Sequence, residues 1–472
     1  MRLLLVSATL IAILGCRTPQ EAFHAHSGSA SNWQMETPLP TVTSSLESHR
    51  GSIEELVDFG LANSPRVQQA VRKVQSLRYR IPQELSLPDP VLSTTTHLSP
   101  VETAAGRQAF ALGINQTFVD AERRAAKAAI ANDQVRVAMS EVESVQQQLA
   151  EQIRIAAFQL LAVRETLKLV EQEVRVLAQI EELVLRKFEV DPAVSQQQVL
   201  LVQTEQSRVE IQVTGLHQQE RSHSARLARL AHLPQGTSIE LTDTLDPVSH
   251  ESDVDSLLAT AFQARPELQS QLNRVQIERR RVWLAERQKR PDVTVGLNWI
   301  MTSPEGISPV ADGSDALLLG VGFNLPVRNE RIDAAKSEAC LSRLSMVAEL
   351  ESIEDQIAEE VFDTYTKLES SEMTVSLLED DILPKSERML ELAIEEYADG
   401  NTELTQLLET WRSMLRSRIA VVNLHSQRQQ LRATLARQIG HLKPSPGLPD
   451  SSVTESASAE STSELVPQEL PF

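Results

Sequence analysis

A chain of 472 residues can build several cores, yet only 4% of these residues are aromatic. Ala, Leu, Val, Glu, Gln and Arg dominate its central part, which is the composition of long amphipathic helices. The formal net charge of −20 argues against nucleic acid as a partner, because a protein that binds phosphates needs a basic face.

The N-terminus has the features of an export signal. Arg2 precedes an apolar run, Leu3 to Leu14, that is too short to span a bilayer, so residues 1–15 are predicted to be a signal peptide. The Gly-Cys pair that ends at Cys16 resembles the lipobox of bacterial lipoproteins, which implies a lipid-carrying (palmitate) N-terminus. A plain signal peptide with an incidental cysteine is the alternative.

Polar segments flank the central part of the chain. Residues 16–50 show no period and are interpreted as a tether between the lipid and a folded body. Arg17 stands where an Asp often retains bacterial lipoproteins in the inner membrane, so the outer membrane is the expected address. Residues 443–472 offer too little apolar area to offset chain entropy, and a disordered tail is predicted there.

The body contains the same pattern twice. Asn63-Ser64-Pro65 is matched by Ala264-Arg265-Pro266 at an offset of 201, and Gly113-Ile114-Asn115 by Gly322-Phe323-Asn324 at an offset of 209, which places one insertion of eight residues in a loop between them. Two copies of one supersecondary unit explain this spacing. The sequence predicts repeat 1 over 51–246 and repeat 2 over 247–442, each with a helix, two strands, a long helix, a tight turn and a return helix.

Two stretches with period two mark the strands of each repeat. They are predicted at about 91–98 and 109–118 in repeat 1, and at about 292–302 and 316–325 in repeat 2, where apolar residues alternate with small and polar ones. Runs of this length match tilted transmembrane strands, and a soluble hairpin with one buried face is the alternative. Four strands cannot close a barrel, so membrane insertion requires several chains.

Long helical hairpins follow the strands, predicted over 120–232 and 329–440. Residues 121–191 contain neither Gly nor Pro, and a helix of this length would extend ~100 Å. Asp120 and Asn329 lie where N-caps belong. The return helices begin after tight turns, the first at Val190-Asp191-Pro192.

The second long helix, predicted from Glu330 to about Ala398, has its own apolar seam. Pro384 is expected to kink it, because an interior proline removes a backbone hydrogen bond. Cys340 is predicted to be a buried thiol that behaves as a small hydrophobe. The seam is predicted to include Leu350, Ile353, Ile357, Val361, Leu368, Val375, Leu378, Ile382, Met389 and Leu392.

The body resembles the outer membrane efflux protein family, the TolC-like outlet ducts. The residues that carry the resemblance are Leu87-Pro88-Asp89-Pro90, Gln116-Thr117-Phe118, Ile382-Leu383-Pro384, Tyr397-Ala398-Asp399-Gly400 and Leu404 to Glu409. The resemblance implies a mainly α fold with a small transmembrane β part. It also implies a homotrimer that forms a 12-stranded β-barrel and an α-helical barrel across the periplasm. A periplasmic adaptor protein and an inner-membrane pump would be its partners.

The resemblance also assigns residues at the helical tips. Tyr397, Asp399, Gly400 and Glu409 match the periplasmic gate, in which an aromatic residue and an acidic ring constrict the duct. Tyr397 as an interhelix packing residue and Glu409 as part of a solvated helix face are the alternatives.

Contact with the adaptor is expected at Val190, Asp191, Pro192 and Asn401. The sequence departs from the family pattern at Thr402, which replaces a basic residue, and at Gln406, which replaces an acidic one, so the closing network must be built differently.

No arrangement of residues supports catalysis, a metal site or a cofactor. His217, His223 and His232 form no metal-ligating pair, and the sequence has no Gly-rich phosphate loop. The function predicted from the sequence is therefore a passive exit duct of a tripartite efflux system. The alternatives are the outlet of type I protein secretion and a lipid-anchored periplasmic coiled-coil scaffold.

Overall fold

The computed structural model describes residues 48–190, 194–245, 253–305 and 309–440. The predicted signal peptide, Cys16, most of the tether, Asp191, Pro192 and the predicted tail over 443–472 lie outside these ranges.

The elements of the described chain alternate between helices and short strands. In chain order they are β1 (Ser48–Gly51), α1 (Ile53–Asn63), α2 (Pro65–Arg78), α3 (Arg80–Leu85), β2 (Val91–Thr103), β3 (Gly106–Phe118), α4 (Ala121–Val190), α5 (Gln196–Leu230), β4 (Ser238–Leu241), α6 (Val254–Ala264), α7 (Pro266–Glu286), a 3₁₀ turn (Arg287–Lys289), β5 (Val293–Ser303), β6 (Ala316–Phe323), α8 (Asn329–Leu377), a π-helical turn (Leu378–Ile382), α9 (Leu383–Asp399) and α10 (Leu404–Gln438).

The first helix of each repeat is broken in front of a proline. A single helix over about 53–84 is predicted from the sequence, but Ser64 has ψ 121° and separates α1 from α2. Arg265 has ψ 123° and separates α6 from α7 in the same way. Both residues precede a proline, whose ring disfavours the helical conformation in the residue before it. The two repeats therefore share this break.

One compact unit, made of residues 71–139 and 269–352 in the described chain, contains a four-stranded antiparallel sheet. Its strand order is β2-β3-β5-β6, so the hairpins of the two repeats meet between β3 and β5. Strands β2 and β3 reach further toward their turn than predicted. Residues 99–103 carry no period-two signal, which is why the sequence did not include them.

The second unit, made of described residues in 47–70, 140–268 and 353–440, contains a parallel pair of short strands. Ser48–Gly51 pairs with Ser238–Leu241. The prediction that the tether extends to residue 50 is wrong at its end. A strand of four residues is too short to show a period, and its partner lies far along the sequence.

Apolar packing in the second unit joins α4, α5, α9 and α10. The largest side chains of this cluster are fully buried, among them Leu177 on α4 and Trp411 on α10. Burial of such side chains contributes about 1.5–3 kcal/mol each relative to the exposed state. This cluster holds the ends of the two helical hairpins.

The second long helix departs from prediction in two ways. Of the predicted seam, Leu350, Ile353, Leu378, Ile382, Met389 and Leu392 are not buried. The last four lie within or after one π-helical turn, which shifts the register of the helix. The predicted kink at Pro384 takes the form of this turn.

The thiol of Cys340 is free and only half-buried, so the prediction of a buried cysteine is wrong. The first half of α8 covers little apolar area within the chain, and Leu341 and Leu344 are exposed as well.

Among the described residues, no helix is both long enough and apolar enough to cross a bilayer.

Candidate membrane face and helical tip

The four-stranded sheet has one apolar face. On β5 and β6, this face consists of paired apolar residues, because Val293, Val295, Leu297 and Trp299 lie opposite Phe323, Val321, Leu319 and Leu317. Strand β3 continues the face with Phe118, Ile114, Leu112 and Phe110, while β2 adds Leu92 and two threonines. The sheet therefore presents an apolar surface several residues wide.

This apolar face is exposed within the chain. Leu319 and Phe323 on β6 are 72% and 59% exposed, and Ile114, Phe118 and Leu297 are exposed as well. Strands β2 and β6 are the outer strands of the sheet, so each has one edge without a hydrogen-bonding partner in the described chain. An exposed apolar face of this size marks a surface for a partner or a membrane, and the open edges can pair with strands of another chain.

The opposite face of the sheet consists mainly of small and polar residues, together with Val91, Ile300 and Leu318. Gly113 lies opposite Asn298, and Gly296 lies opposite Asn115. A Cβ atom at either glycine would overlap the amide oxygen of the facing asparagine. The glycines thus allow two asparagine side chains to lie flat across neighbouring strands, and this face can line water.

Ion pairs connect the ends of the strands to the start of α4. Arg123 pairs with Asp292, which precedes β5, and Arg290 donates to Glu122 at 2.9 Å. Asp120 accepts from the backbone of Glu122 at 3.2 Å and acts as the predicted cap of α4. The sheet and the long helix are therefore fixed to each other at this end.

The second helical tip is a tight turn closed by a glycine. Gly400 has φ 81°, and Asn401 N–H donates to the Glu396 carbonyl at 2.8 Å, which satisfies the end of α9 after Asp399. The space around Gly400 is otherwise open except for the Lys187 ammonium. This geometry is the turn that the sequence predicts.

Tyr397 lies between the two hairpins rather than on the surface. It is 3% exposed and belongs to the apolar cluster of the second unit. The Lys187 ammonium donates to the Tyr397 carbonyl and lies 4.9 Å from the centre of its ring. The Tyr397 hydroxyl donates to Gln198 on α5 at 3.4 Å. The residue thus connects α9 to both helices of the first hairpin.

Glu409 lies on the exposed surface of α10. Its carboxylate accepts from Arg412 and from Arg416, each at 3.0 Å. Two guanidinium groups therefore offset its charge within the chain. Thr402 precedes α10, and Gln406 lies in its first turn, so neither adds charge to the tip.

Of the residues expected to contact an adaptor, two are described. Val190 ends α4 and is 84% exposed, and Asn401 is exposed beside Gly400. Asp191 and Pro192 lie outside the described residues.

Sequence reasoning missed a buried charge cluster within the helical hairpins. Glu173 on α4 is 1% exposed and accepts from Trp411 Nε1 at 2.9 Å and from Arg418 at 2.6 Å. Arg418 also donates to Glu387 on α9 at 2.6 Å. One guanidinium on α10 therefore joins three helices. The sequence signal for this cluster was a charged residue, Glu173, between two apolar residues of α4, Val170 and Leu177.

A second buried carboxylate lies on α5. Arg412 donates to both oxygens of Glu205, at 2.9 and 2.7 Å. The hydrogen bonds and charge of Arg412, with a smaller contribution from Arg208, lower the pKa of Glu205 despite its burial. The pair keeps Glu205 ionised and links α5 to α10.

The described residues contain no cluster of His, Cys, Asp and Glu that could hold a metal ion.

Comparison with known proteins identifies the family resemblance independently. Residues 257–441 match the family model described as outer membrane efflux protein. No curated protein matches the chain. The resemblance predicted from the sequence is confirmed by the family match.

Solved structures share the fold. The outer membrane protein VceC of Vibrio cholerae has 19% identity and a TM-score of 0.68, and the match covers 82% of this chain and 96% of that one. The outer membrane channel CmeC of Campylobacter jejuni has 15% identity and a TM-score of 0.64, with coverage of 89% and 95%. The open state of the MtrE outer membrane channel of Neisseria gonorrhoeae has 16% identity and a TM-score of 0.65, with coverage of 82% and 88%. At these identities, the likeness shows the fold.

Proposed function

We propose that this chain, whose residues 257–441 match the outer membrane efflux proteins, forms a passive channel in the bacterial outer membrane. It is the exit duct of a tripartite system, in which an inner-membrane pump supplies the energy and a periplasmic adaptor joins the pump to the duct. Three copies form the duct, with twelve strands in the membrane and the long helices in the periplasm.

The observation that carries this proposal is the four-stranded sheet. Its apolar face is exposed, its other face is small and polar, and both outer strands have an open edge. Three such sheets joined edge to edge satisfy every open edge, turn the apolar face to lipid and surround a water-filled lumen with the polar face. A coiled-coil scaffold in the periplasm has no use for such a sheet.

The helices support the same assembly. The helix α4 contains 70 residues and would extend ~100 Å, which suits an element that crosses the periplasm. Exposed Leu341 and Leu344 on α8 give neighbouring copies an apolar surface to cover.

We assign the gate to the second helical tip. Tyr397, Asp399 and Gly400 form the turn that closes the duct, and Glu409 contributes the acidic ring. Tyr397 is buried between the hairpins, which supports a role in holding them together. The same burial fits the alternative, in which Tyr397 is an interhelix packing residue. Adaptor contact is assigned to Val190, Asp191, Pro192 and Asn401, and the lipid anchor to Cys16.

Single-channel recording tests the proposal. The purified full-length protein, reconstituted into a planar bilayer, is expected to conduct ions in steps of uniform size. A protein that inserts into bilayers and never conducts, across preparations that are trimeric, would contradict a channel and favour the scaffold. Secretion of a large polypeptide cargo in cells, without export of small molecules, would instead support the type I alternative.

A further inference from the structure

The strand register defines one end of the sheet, at which every strand connects to a helical segment. Phe118 ends β3 opposite Val293, the first residue of β5, and Val293 lies opposite Phe323, the last residue of β6. Strand β2 begins at the same end, because Val91 lies opposite Asn115. The end of β6 and the start of β2 therefore lie at the helical end of the two outer strands.

Exposed apolar residues continue beyond the outer strands at this end. After β6, Leu325 and Val327 are 73% and 76% exposed. Before β2, Leu85 and Leu87 are exposed as well, and so is the ring of Tyr79 at the start of α3. The apolar surface of the sheet thus continues toward the helices beside both outer strands.

Arginines follow these apolar residues on both sides. Arg328 comes directly after Val327, Arg331 lies in the first turn of α8, and both are exposed. Arg78 ends α2 beside Tyr79 and is exposed too. Among the described residues, none of these three guanidinium groups has a hydrogen-bond or ion-pair partner. An unpaired guanidinium can bind the oxygens of a phosphate through two parallel N–H groups.

The carboxylates close to these arginines in the sequence are engaged or favourably placed elsewhere. Glu84 pairs with Arg80 at 3.6 Å within α3. Glu330 lies in the first turn of α8, where the helix dipole stabilises a negative charge. Asp89 precedes β2 and is the third carboxylate. Arg78, Arg80, Arg328 and Arg331 together outnumber them, so a positive surplus remains.

Pairing between copies brings the two sets of arginines together. All neighbouring strands of the sheet are antiparallel, so β6 of one copy and β2 of the next run in opposite directions. A ladder between them places the end of β6 beside the start of β2. Arg328 and Arg331 of one copy then lie on one side of this junction, and Arg78 of the partner subunit lies on the other.

We propose that each junction between β6 and β2 binds the phosphate of an anionic phospholipid, with Arg328 and Arg331 from one copy and Arg78 from the next. The acyl chains lie against Leu325, Val327 and the apolar face, which a free phosphate ion could not use. Neither copy completes the site alone. The site rests on the proposed channel, because it requires copies that are joined through their sheets in a membrane.

Native mass spectrometry of the full-length protein in phosphatidylglycerol-containing micelles counts the bound lipids. The wild type is expected to retain up to three phosphatidylglycerol molecules per trimer, and far fewer when phosphatidylcholine replaces this lipid. R328Q/R331Q removes two charges from each site and keeps long polar side chains. The affinity for phosphatidylglycerol is expected to fall about tenfold in this variant and about threefold in R78Q, because each basic residue beside an anionic lipid contributes to binding.

The matched control is R343Q. Arg343 lies on the same helix as Arg331, is exposed and has no partner among the residues that the structure describes. It lies twelve residues further along α8, which is about 18 Å from Arg331 and beyond the headgroups. R343Q is expected to leave phosphatidylglycerol binding unchanged, so a loss in R328Q/R331Q alone reports position and not total charge.

Three results would overturn the lipid site. They are equal retention of phosphatidylglycerol and phosphatidylcholine, equal losses in R343Q and R328Q/R331Q, or stabilisation of the trimer by inorganic phosphate as strong as that by phosphatidylglycerol. If R328Q/R331Q forms no trimer, R78Q decides, because it changes the other side of the junction.

The same experiment separates this site from the channel. A stable single chain would refute the shared barrel and the lipid site together. A trimer that conducts ions but retains no phosphatidylglycerol would refute the lipid site and leave the channel standing.

Discussion

At the scale of single residues, buried carboxylates connect the helices of the two hairpins. Glu173 has no contact with solvent and relies on Trp411 and Arg418 for its hydrogen bonds. Replacing Arg418 by Ala leaves a buried charge with one neutral donor, and the free energy of unfolding is expected to fall by about 3 kcal/mol. Chemical unfolding of the detergent-solubilised protein measures this change.

Arg416 provides the control for that substitution. It pairs with Glu409, and both side chains are more than 60% exposed. Exposed pairs contribute little, so R416A is expected to change the free energy of unfolding by less than about 0.5 kcal/mol. Equal effects of R416A and R418A would contradict the importance of burial at Glu173.

Glu205 gives the tip a dependence on pH. The hydrogen bonds and charge of Arg412 lower the pKa of Glu205 below the ordinary value of 4.5. A carboxyl group with a lowered pKa stabilises the fold above its unfolded pKa, and this contribution is lost as the pH falls through the folded value. The apparent melting temperature is therefore expected to decline below about pH 4.5.

The variant E205Q separates this contribution from general acid unfolding. At pH 7, E205Q should melt at a lower temperature than the wild type, and the difference should shrink as the pH falls below about 4.5. A difference of constant size over this range would show that Glu205 stabilises the tip by packing and not by charge.

Two glycines are expected to respond oppositely to alanine. Gly400 has φ 81°, a conformation that costs an alanine about 1 kcal/mol, so G400A should destabilise the turn at the tip. Gly215 lies inside α5 with open space around it, so G215A should stabilise the helix by about 0.5–1 kcal/mol. Thermal unfolding of the two variants beside the wild type measures both signs, and destabilisation by G215A would contradict the open space.

At the scale of elements, the two faces of β6 provide a matched pair of positions for substitution. Leu319 lies opposite Leu297 on the apolar face, and Leu318 lies opposite Asn298 on the polar face. An arginine on a lipid-facing strand costs about 2–4 kcal/mol at the middle of the bilayer. L319R should therefore lower the amount of protein in the outer membrane fraction, whereas L318R should insert and change the conductance. Normal insertion of L319R would show that this face does not contact lipid.

The helices show why element boundaries are harder to predict than elements. A π-helical turn replaces the predicted kink at Pro384, because the chain can widen one turn and keep its hydrogen bonds. The breaks at Ser64 and Arg265 follow from the following prolines, a local rule that the sequence displays. Strand β1 escapes such reasoning, since the strand it pairs with is distant in sequence.

At the scale of the whole molecule, the open sheet edges fit the proposed assembly of several copies. The proposed assembly predicts a detergent-extracted particle with about three times the mass of the mature chain, measured by native mass spectrometry. A stable single chain that retains its strands by circular dichroism would contradict the shared barrel.

The lipid anchor is a separate prediction for the whole molecule. Replacing Cys16 by Ala is expected to abolish incorporation of radiolabelled palmitate. The protein should still reach a membrane if its barrel inserts, because the sheet supplies its own contact with lipid. Palmitate labelling of C16A would show that Cys16 is not the acylated residue.

The sequence alone determined the duplicated layout, the long helices, the approximate positions of the four strands of the antiparallel sheet and the resemblance to efflux channels. These features are periodic or local, and the pattern that predicts each turn or strand lies within a few residues. Tertiary structure decided which charges are buried, because Glu173, Glu205 and Arg418 lie on three different helices whose alignment no local pattern specifies. It also decided that the row of buried residues along the second long helix is interrupted at the π-helical turn. Burial depends on which surfaces meet and not on the period of one helix.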